Sequence, residues 1–260
     1  MIRAMSTAAT GMEAQQTKLD VTANNIANVS TAGFKKSRAE FADLMYQTIR
    51  APGTATGDGT QAPTGAQVGM GVRTVATQRQ HSMGDLRQTG NPLDVAIEGR
   101  GFFQVTLPTG ENAYTRNGAF KIDAEGVMVN ADGYRLSSDI TIPPDAQSVT
   151  IGADGTVTAI DPGETEPTEL GQIQTAMFAN PSGLESMGKT LFRESAASGA
   201  AVLTNPGQEG AGGLTQGTLE LSNVKVVEEM IDLISGQRAY EVNSRVISAA
   251  DEMLQRTGNL

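Results

Sequence analysis

Residues 226–254, VVEEMIDLISGQRAYEVNSRVISAADEML, carry Val226, Leu233, Tyr240, Ile247 and Leu254 at intervals of seven. Residues 2–26, IRAMSTAATGMEAQQTKLDVTANNI, repeat the device. There Met5, Met12, Leu19 and Ile26 are seven apart, interleaved with Ile2, Ala9, Gln16 and Ala23. Apolar residues at a 3.5-residue period mark a helix that needs a facing helix. A seam at each end, with a different composition between, predicts a subunit built to polymerise rather than to catalyse. The expected assembly seam is Ile2, Met5, Met12, Leu19 and Ile26 on the first helix. On the second it is Val226, Leu233, Tyr240, Ile247 and Leu254.

Composition excludes several classes. The 260 residues include 30 Gly, seven Phe, four Tyr and no Trp, which makes a lean core for this length. A formal net charge of −10 argues against nucleic acid and anionic membrane as partners. Cysteine is absent and His81 is the only histidine, so thiolate chemistry and the usual zinc sites are excluded. No apolar run reaches the 18 residues that a membrane span requires, so no direct membrane insertion is expected. The first residues lack the apolar run and cleavage site of a secretory signal, so any export is expected to need another route.

All ten prolines fall between Pro52 and Pro206, leaving both ends free to be helical. The first helix is expected to end near Asn24–Asn28. The second is expected to begin after an N-cap at Ser222 or Asn223 and to run to about Gln255. Neither seam is long enough to offset the backbone entropy of its own helix, so a partner must add contacts.

Residues 51–67, APGTATGDGTQAPTGAQ, read on composition as a flexible linker. Beyond them the spacing turns to two-residue alternation, as in Val68, Met70, Val72 and in Phe103, Val105, Leu107. Turn pairs follow at Asn117-Gly118, Glu125-Gly126, Asp132-Gly133 and Asp154-Gly155, the last reading as a two-residue hairpin. The expected fold is α+β, with coiled-coil-type helices at both ends flanking an antiparallel β domain, a small barrel or sandwich. The expected divisions are 1–28 with 219–260 as a helical assembly domain, 29–88 as an extended linking stretch with β-strand, and 89–218 as an outer β domain.

Gly183-Leu-Glu-Ser-Met-Gly188-Lys189-Thr190 fits the phosphate-loop pattern GxxxxGKT, behind an expected strand at Gln172–Phe178. Such a loop must open a helix whose N-terminal amides hold phosphate. The following LFRESAASGAAV has no helical apolar face, so a surface turn is the better reading, with a nucleotide-binding enzyme as the minor alternative. The Asp-Gly pairs lack calcium-loop spacing. No residues assemble a nucleophile, a base and an oxyanion hole, and no metal or cofactor site is expected. His81 has no ligand partner nearby and reads as a surface residue. Gln237 and Ser244 are expected on the second seam, where polar groups can fix register between helices.

Residues 9–41, ATGMEAQQTKLDVTANNIANVSTAGFKKSRAEF, resemble the N-terminal signature of bacterial flagellar rod and hook axial proteins. Residues 219–255 resemble their C-terminal signature. TGNPLDVAIEGRGFFQV (89–105) and YTRNGAFKIDAEGVMVNADGYRL (114–136) look like the family's shared β domain. The signature positions here are Asn24, Asn25, Asn28, Gly33, Phe34, Asn223, Gln237, Arg238, Tyr240 and Asn243. Residues 44–86 resemble an extended stretch that distal rod members carry. Its stiffening segment is represented by Ala51, Pro52, Gly53, Gly57, Gly59, Pro63 and Gln67. A proximal rod or hook-type subunit is the alternative within the family.

The resemblance implies export by the flagellar type III apparatus without a cleaved signal peptide. It implies self-assembly of the terminal helices into tubes around a channel, with the β domain outward. The implied partners are further copies of the chain, proximal rod and hook subunits or junctions, and the peptidoglycan-ring and outer-membrane-ring proteins. The implied place is the basal body, with the rod crossing the periplasm and the outer membrane. No cofactor is implied.

Overall fold

A computed structural model describes residues 2–57, 60–61, 63–138, 140–163 and 166–258. The chain divides into two compact units. One comprises residues 1–27, 37–78 and 225–260, and the other residues 28–36 and 79–224. This division assigns 37–78 to the helical unit and 79–88 and 219–224 to the β unit, which differs from the boundaries expected from sequence.

In the first unit, α1 (Ile2–Ala27) and α2 (Val226–Gly258) form a pair. Gly11 lies beside Asn243, Leu19 beside Gly236 and Asn25 against Glu229, so residue numbers rise on one helix as they fall on the other. The pair is antiparallel. The N-cap expected at Ser222 or Asn223 lies upstream of the observed start of α2. Strand Ser37–Asp43 pairs with residues of Val72–Arg79, the strand at whose end this unit stops. Tyr46–Arg50 pairs antiparallel with Ala66–Gly69, and Ala55–Gly57 with Thr60–Gln61. The described residues of the segment read as a linker thus belong to a ribbon of antiparallel two-stranded pairings. Gly59 lies outside the described residues.

The second unit is built on antiparallel pairings. Strand Phe102–Thr106 is central, pairing with Asn112–Thr115 on one edge and with Thr175–Met177 and Arg135–Leu136 on the other. Its alternation separates two cores. Phe103 and Val105 join Val95, Ile97, Phe120, Met128, Leu136, Ile173 and Leu191 on one face. Phe102 turns to the other, with Tyr114, Phe178 and Phe192. Phe102 stands edge-on to Phe178 and Phe192 at 5.7 and 5.9 Å, the favoured aromatic geometry.

The expected α+β architecture, helices at the ends of an antiparallel β region, is the one observed. One turn differs in detail. Ser148–Ile151 pairs with Thr156–Ile160, and Gly152 N donates to Thr156 O, leaving a three-residue loop Ala153–Gly155 with Gly155 at φ 87°. Among the described residues no helix is long and apolar enough to cross a membrane.

Candidate functional site

The helix pair packs along small and polar residues, not along its largest apolar ones. Ala8, Thr22 and Asn25 of α1 are buried, as are Glu229, Gly236 and Ala250 of α2. Two glycines set the approach. A Cβ on Gly236 would sit 3.0 Å from Leu19 Cδ2, and one on Gly11 would sit 2.9 Å from Asn243 Nδ2. The expected Met5, Met12, Leu19 and Ile26 line is half-buried, but its interleaving residues are Ala8, Gln15 and Thr22. Ala9, Gln16 and Ala23 are exposed, and Ile2 is 78% exposed. On α2, Leu233, Ile247 and Leu254 are half-buried, while Val226 and Tyr240 are exposed. Gln237 and Ser244 do not face α1 and are exposed. Polar residues of α2 that do meet α1 include Glu229, Asp232, which pairs with Lys18 at 3.0 Å, and Asn243.

A second stripe was missed in the sequence. Val227, Met230, Ile231 and Ile234 follow i, i+3, i+4, i+7 spacing, the pattern of a helix face seeking a partner. At 3.6 residues per turn they lie opposite the Glu229–Leu233–Gly236 line that meets α1. Val227 is 71% and Ile231 62% exposed. The pattern was legible, but the heptad line beside it drew the reading. The ribbon adds exposed Met45, Tyr46, Ile49, Val68 and Met70. Most exposed large apolar side chains among the described residues belong to this helical unit.

The signature asparagines have specific contacts. Asn25 accepts from Ser37 N and donates to Ser37 O, both at 2.9 Å, and to Glu229 Oε2 at 3.0 Å. In the β unit, Thr31 Oγ1 donates to Asn28 Oδ1. Asn223 accepts from Lys36 N at 2.7 Å and donates to Gln80 O at 2.8 Å and to Ser82 Oγ at 2.9 Å. One side chain thereby ties three chain segments. Gly33 has φ 70°, and a Cβ there would meet Asn117 N at 2.5 Å, so only glycine fits. Phe34 is buried under Arg79, whose guanidinium carbon is 5.7 Å from the ring centroid. Asn24, Gln237, Arg238 and Tyr240 are exposed.

Sequence reading also missed a buried charge cluster. Glu220 is fully buried, accepting from Lys35 Nζ, from Arg116 Nε at 2.8 Å and from Gly84 N at 2.9 Å. Arg116 donates further to the carbonyls of Gly101, Gly99 and Ile97. Burial pushes the Lys35 ammonium below its ordinary range, against the pull of Glu220. His81 corrects the surface expectation. It is half-buried against Phe102 and Phe192, and burial together with Lys35, Arg79 and Arg116 lowers its pKa to about 4.

The GxxxxGKT stretch does not open a helix. Glu185–Gly188 and Leu191–Arg193 pair antiparallel, with Lys189 and Thr190 at φ 54° and 59° as the turn between them. Lys189 pairs with Asp132 at 3.0 Å. This is a β-hairpin, without the helix N-terminus that a phosphate loop uses.

Comparison with known proteins agrees with this layout. Residues 5–35 match the family model described as "Flagella basal body rod protein", and residues 96–159 match "Flagellar hook protein FlgE/F/G D1 domain". Residues 215–260 match "Flagellar basal body rod FlgEFG protein C-terminal". The chain is 48% identical over 260 residues to the flagellar basal-body rod protein FlgG of Buchnera aphidicola subsp. Acyrthosiphon pisum, covering 100% of each chain. It is 50% identical over 260 residues to the FlgG of Caulobacter vibrioides, covering 100% of this chain and 99% of the other. To the Borreliella burgdorferi FlgG it is 48% identical over 262 residues, covering 100% and 99%. The chain belongs to the FlgG family of flagellar basal-body rod proteins.

Proposed function

We infer that this chain is a structural subunit that polymerises into the distal rod, a rigid hollow shaft transmitting motor torque to the hook and enclosing the export channel. The observation that carries this reading is the two-faced α2. One face meets α1, and the opposite stripe, Val227, Met230, Ile231 and Ile234, is left exposed by the described residues of its own unit. A helix with one face packed on α1 and an exposed apolar stripe on the other belongs between neighbours. A further copy of the chain supplies the cover, through a contact that does not close on itself and so extends into a filament. The expected seam residues, Met5, Met12, Leu19 and Ile26 with Leu233, Ile247 and Leu254, hold the hairpin within which this stripe is presented.

The partners follow from that role. They are further copies along the rod, proximal rod and hook subunits or junctions at its ends, and the peptidoglycan-ring and outer-membrane-ring proteins around it. Delivery is by the flagellar type III export apparatus, to a rod crossing the periplasm and the outer membrane. The ribbon holding Ala51, Pro52, Gly53, Pro63 and Gln67 braces the shaft. A lone two-stranded ribbon is marginal in water, and its exposed Met45, Tyr46 and Ile49 seek a neighbouring surface.

The test is Ile231→Asp in the flagellated strain. Basal bodies viewed by electron microscopy should stop short of a complete rod, while purified monomer keeps its melting profile. Complete rods and normal swimming from this variant would remove the stripe from the assembly.

A further inference from the structure

In the β unit, His81 lines a cavity of about 60 Å³ with Lys35, Arg116, Phe102, Pro181 and the Gly99–Gly101 loop. The imidazole is held edge-on to Phe102 and Phe192 with centroids 5.5 Å away, with Pro181 beside it in the cavity lining. Its Nδ1 is buried and has no hydrogen-bond partner. A buried polar atom left unmatched calls for an occupant.

Charge says which kind. Lys35, Arg79 and Arg116 act on His81, and all three are cations. Glu220 is the carboxylate paired with Lys35 and Arg116, and it is shared between them. Among the described residues the Arg79 side chain donates to neutral acceptors, Lys35 O and Ser186 Oγ, and lies over the rings of Phe34 and Phe192. Arg100 adds a further positive charge at the cavity wall. In a chain of net charge −10, this pocket gathers cations in excess. Desolvated positive charge without a counter-charge is costly, and a small anion would relieve it. At about 30 Å³ per water, the volume admits one or two water-sized particles and no glycan or peptide.

We propose that this cavity is a binding site for a small inorganic anion of the halide class, taken up together with one proton on His81. The coupling follows from the ring. The neutral ring carries a single N–H and no charge, whereas the imidazolium is positive and carries an N–H at both nitrogens, so the protonated ring holds an anion at Nδ1 more strongly. Anion binding therefore raises the proton affinity of His81, and protonation raises anion affinity by the same factor. The apparent anion affinity therefore grows as pH falls.

One histidine makes the test direct. The full-length chain is held at about pH 5.5, above its pI of about 4.6, and titrated with potassium chloride. Potassium gluconate at matched ionic strength controls for screening, up to about 0.5 M. The imidazole Cε1–H NMR signal should stay at its neutral position in gluconate and move toward the imidazolium position in chloride. Unbuffered parent protein should take up protons on chloride addition, and His81→Phe, which retains a ring against Phe102 and Phe192, should take up none. An imidazole signal that ignores chloride would overturn the proposal, since the cavity then holds water. Equal proton uptake by parent and His81→Phe would do the same. If the variant fails to fold, the NMR titration of the parent decides alone.

Discussion

Asn25 of α1 donates from Nδ2 to Glu229 Oε2 of α2 at 3.0 Å, inside the helix pair, while the same amide grips both backbone groups of Ser37. The contact fixes the register of the antiparallel hairpin and the direction in which the chain leaves α1. Small residues around it let the helices approach closely, at the expense of little buried apolar area.

Asn25→Ala should therefore act on register more than on bulk packing. It leaves Ser37 N–H and O without their partner and Glu229 without its amide. A buried polar group losing its hydrogen bond costs about 1–3 kcal/mol. Circular dichroism should show the helical signal melting earlier, and rods should assemble less efficiently. Unchanged melting would mean that water replaces the amide at no cost.

The two faces of α2 should separate in mutagenesis. Leu233→Asp, and Leu19→Asp beside Gly236, place a charge where the hairpin itself packs, lowering monomer stability as well as assembly by several kcal/mol. Ile234→Asp lies on the uncovered stripe and should spare the monomer while abolishing motility. Melting profiles and swimming assays distinguish them.

Removal of residues 51–67 takes away the end of the ribbon. Shortening a loop alters closure entropy only slightly, so the subunit should still fold and polymerise. Rods from the deletion strain are expected to be curved or flexible under the electron microscope. Straight, stiff rods would return the segment to a passive connector.

Stability should depend on pH through His81. The folded ring stays neutral down to about 4, whereas the unfolded ring takes a proton near 6.5. Between those values the unfolded chain binds the extra proton, so stability is present above about 6.5 and is lost as pH falls toward 4. The loss amounts to at most about 3 kcal/mol. Urea unfolding of the parent and of His81→Phe across this window should show the slope disappearing in the variant.

Glu220→Gln should be the most damaging single change in the β unit. It leaves Lys35 and Arg116 buried with no carboxylate between them, at a cost of about 3–5 kcal/mol. Denaturant unfolding of this unit should shift accordingly, and a change below about 1 kcal/mol would show that the cluster relaxes toward water.

Much of this molecule is written in local order. The helical ends follow from their freedom from proline and the 3.5-residue spacing of Met5–Ile26 and Val226–Leu254, because period is a property of neighbouring residues. The strands and turns of the middle follow from alternation and from pairs such as Asp154-Gly155. The family was legible in residues 9–41 and 219–255.

Which of two equally spaced lines faces the partner was not legible. Ala8–Gln15–Thr22 and Ala9–Gln16–Ala23 have the same period, and only the opposing surface, with Gly236 and Asn243 in it, selects the first. The burial of His81 depends on Phe102, Phe192 and Pro181, and Glu220 meets Lys35 and Arg116 across separations of 185 and 104 residues. Local spacing determined the elements, whereas burial, charge pairing and the uncovered face of α2 were decided by tertiary packing, because each depends on side chains that only the folded chain brings within reach.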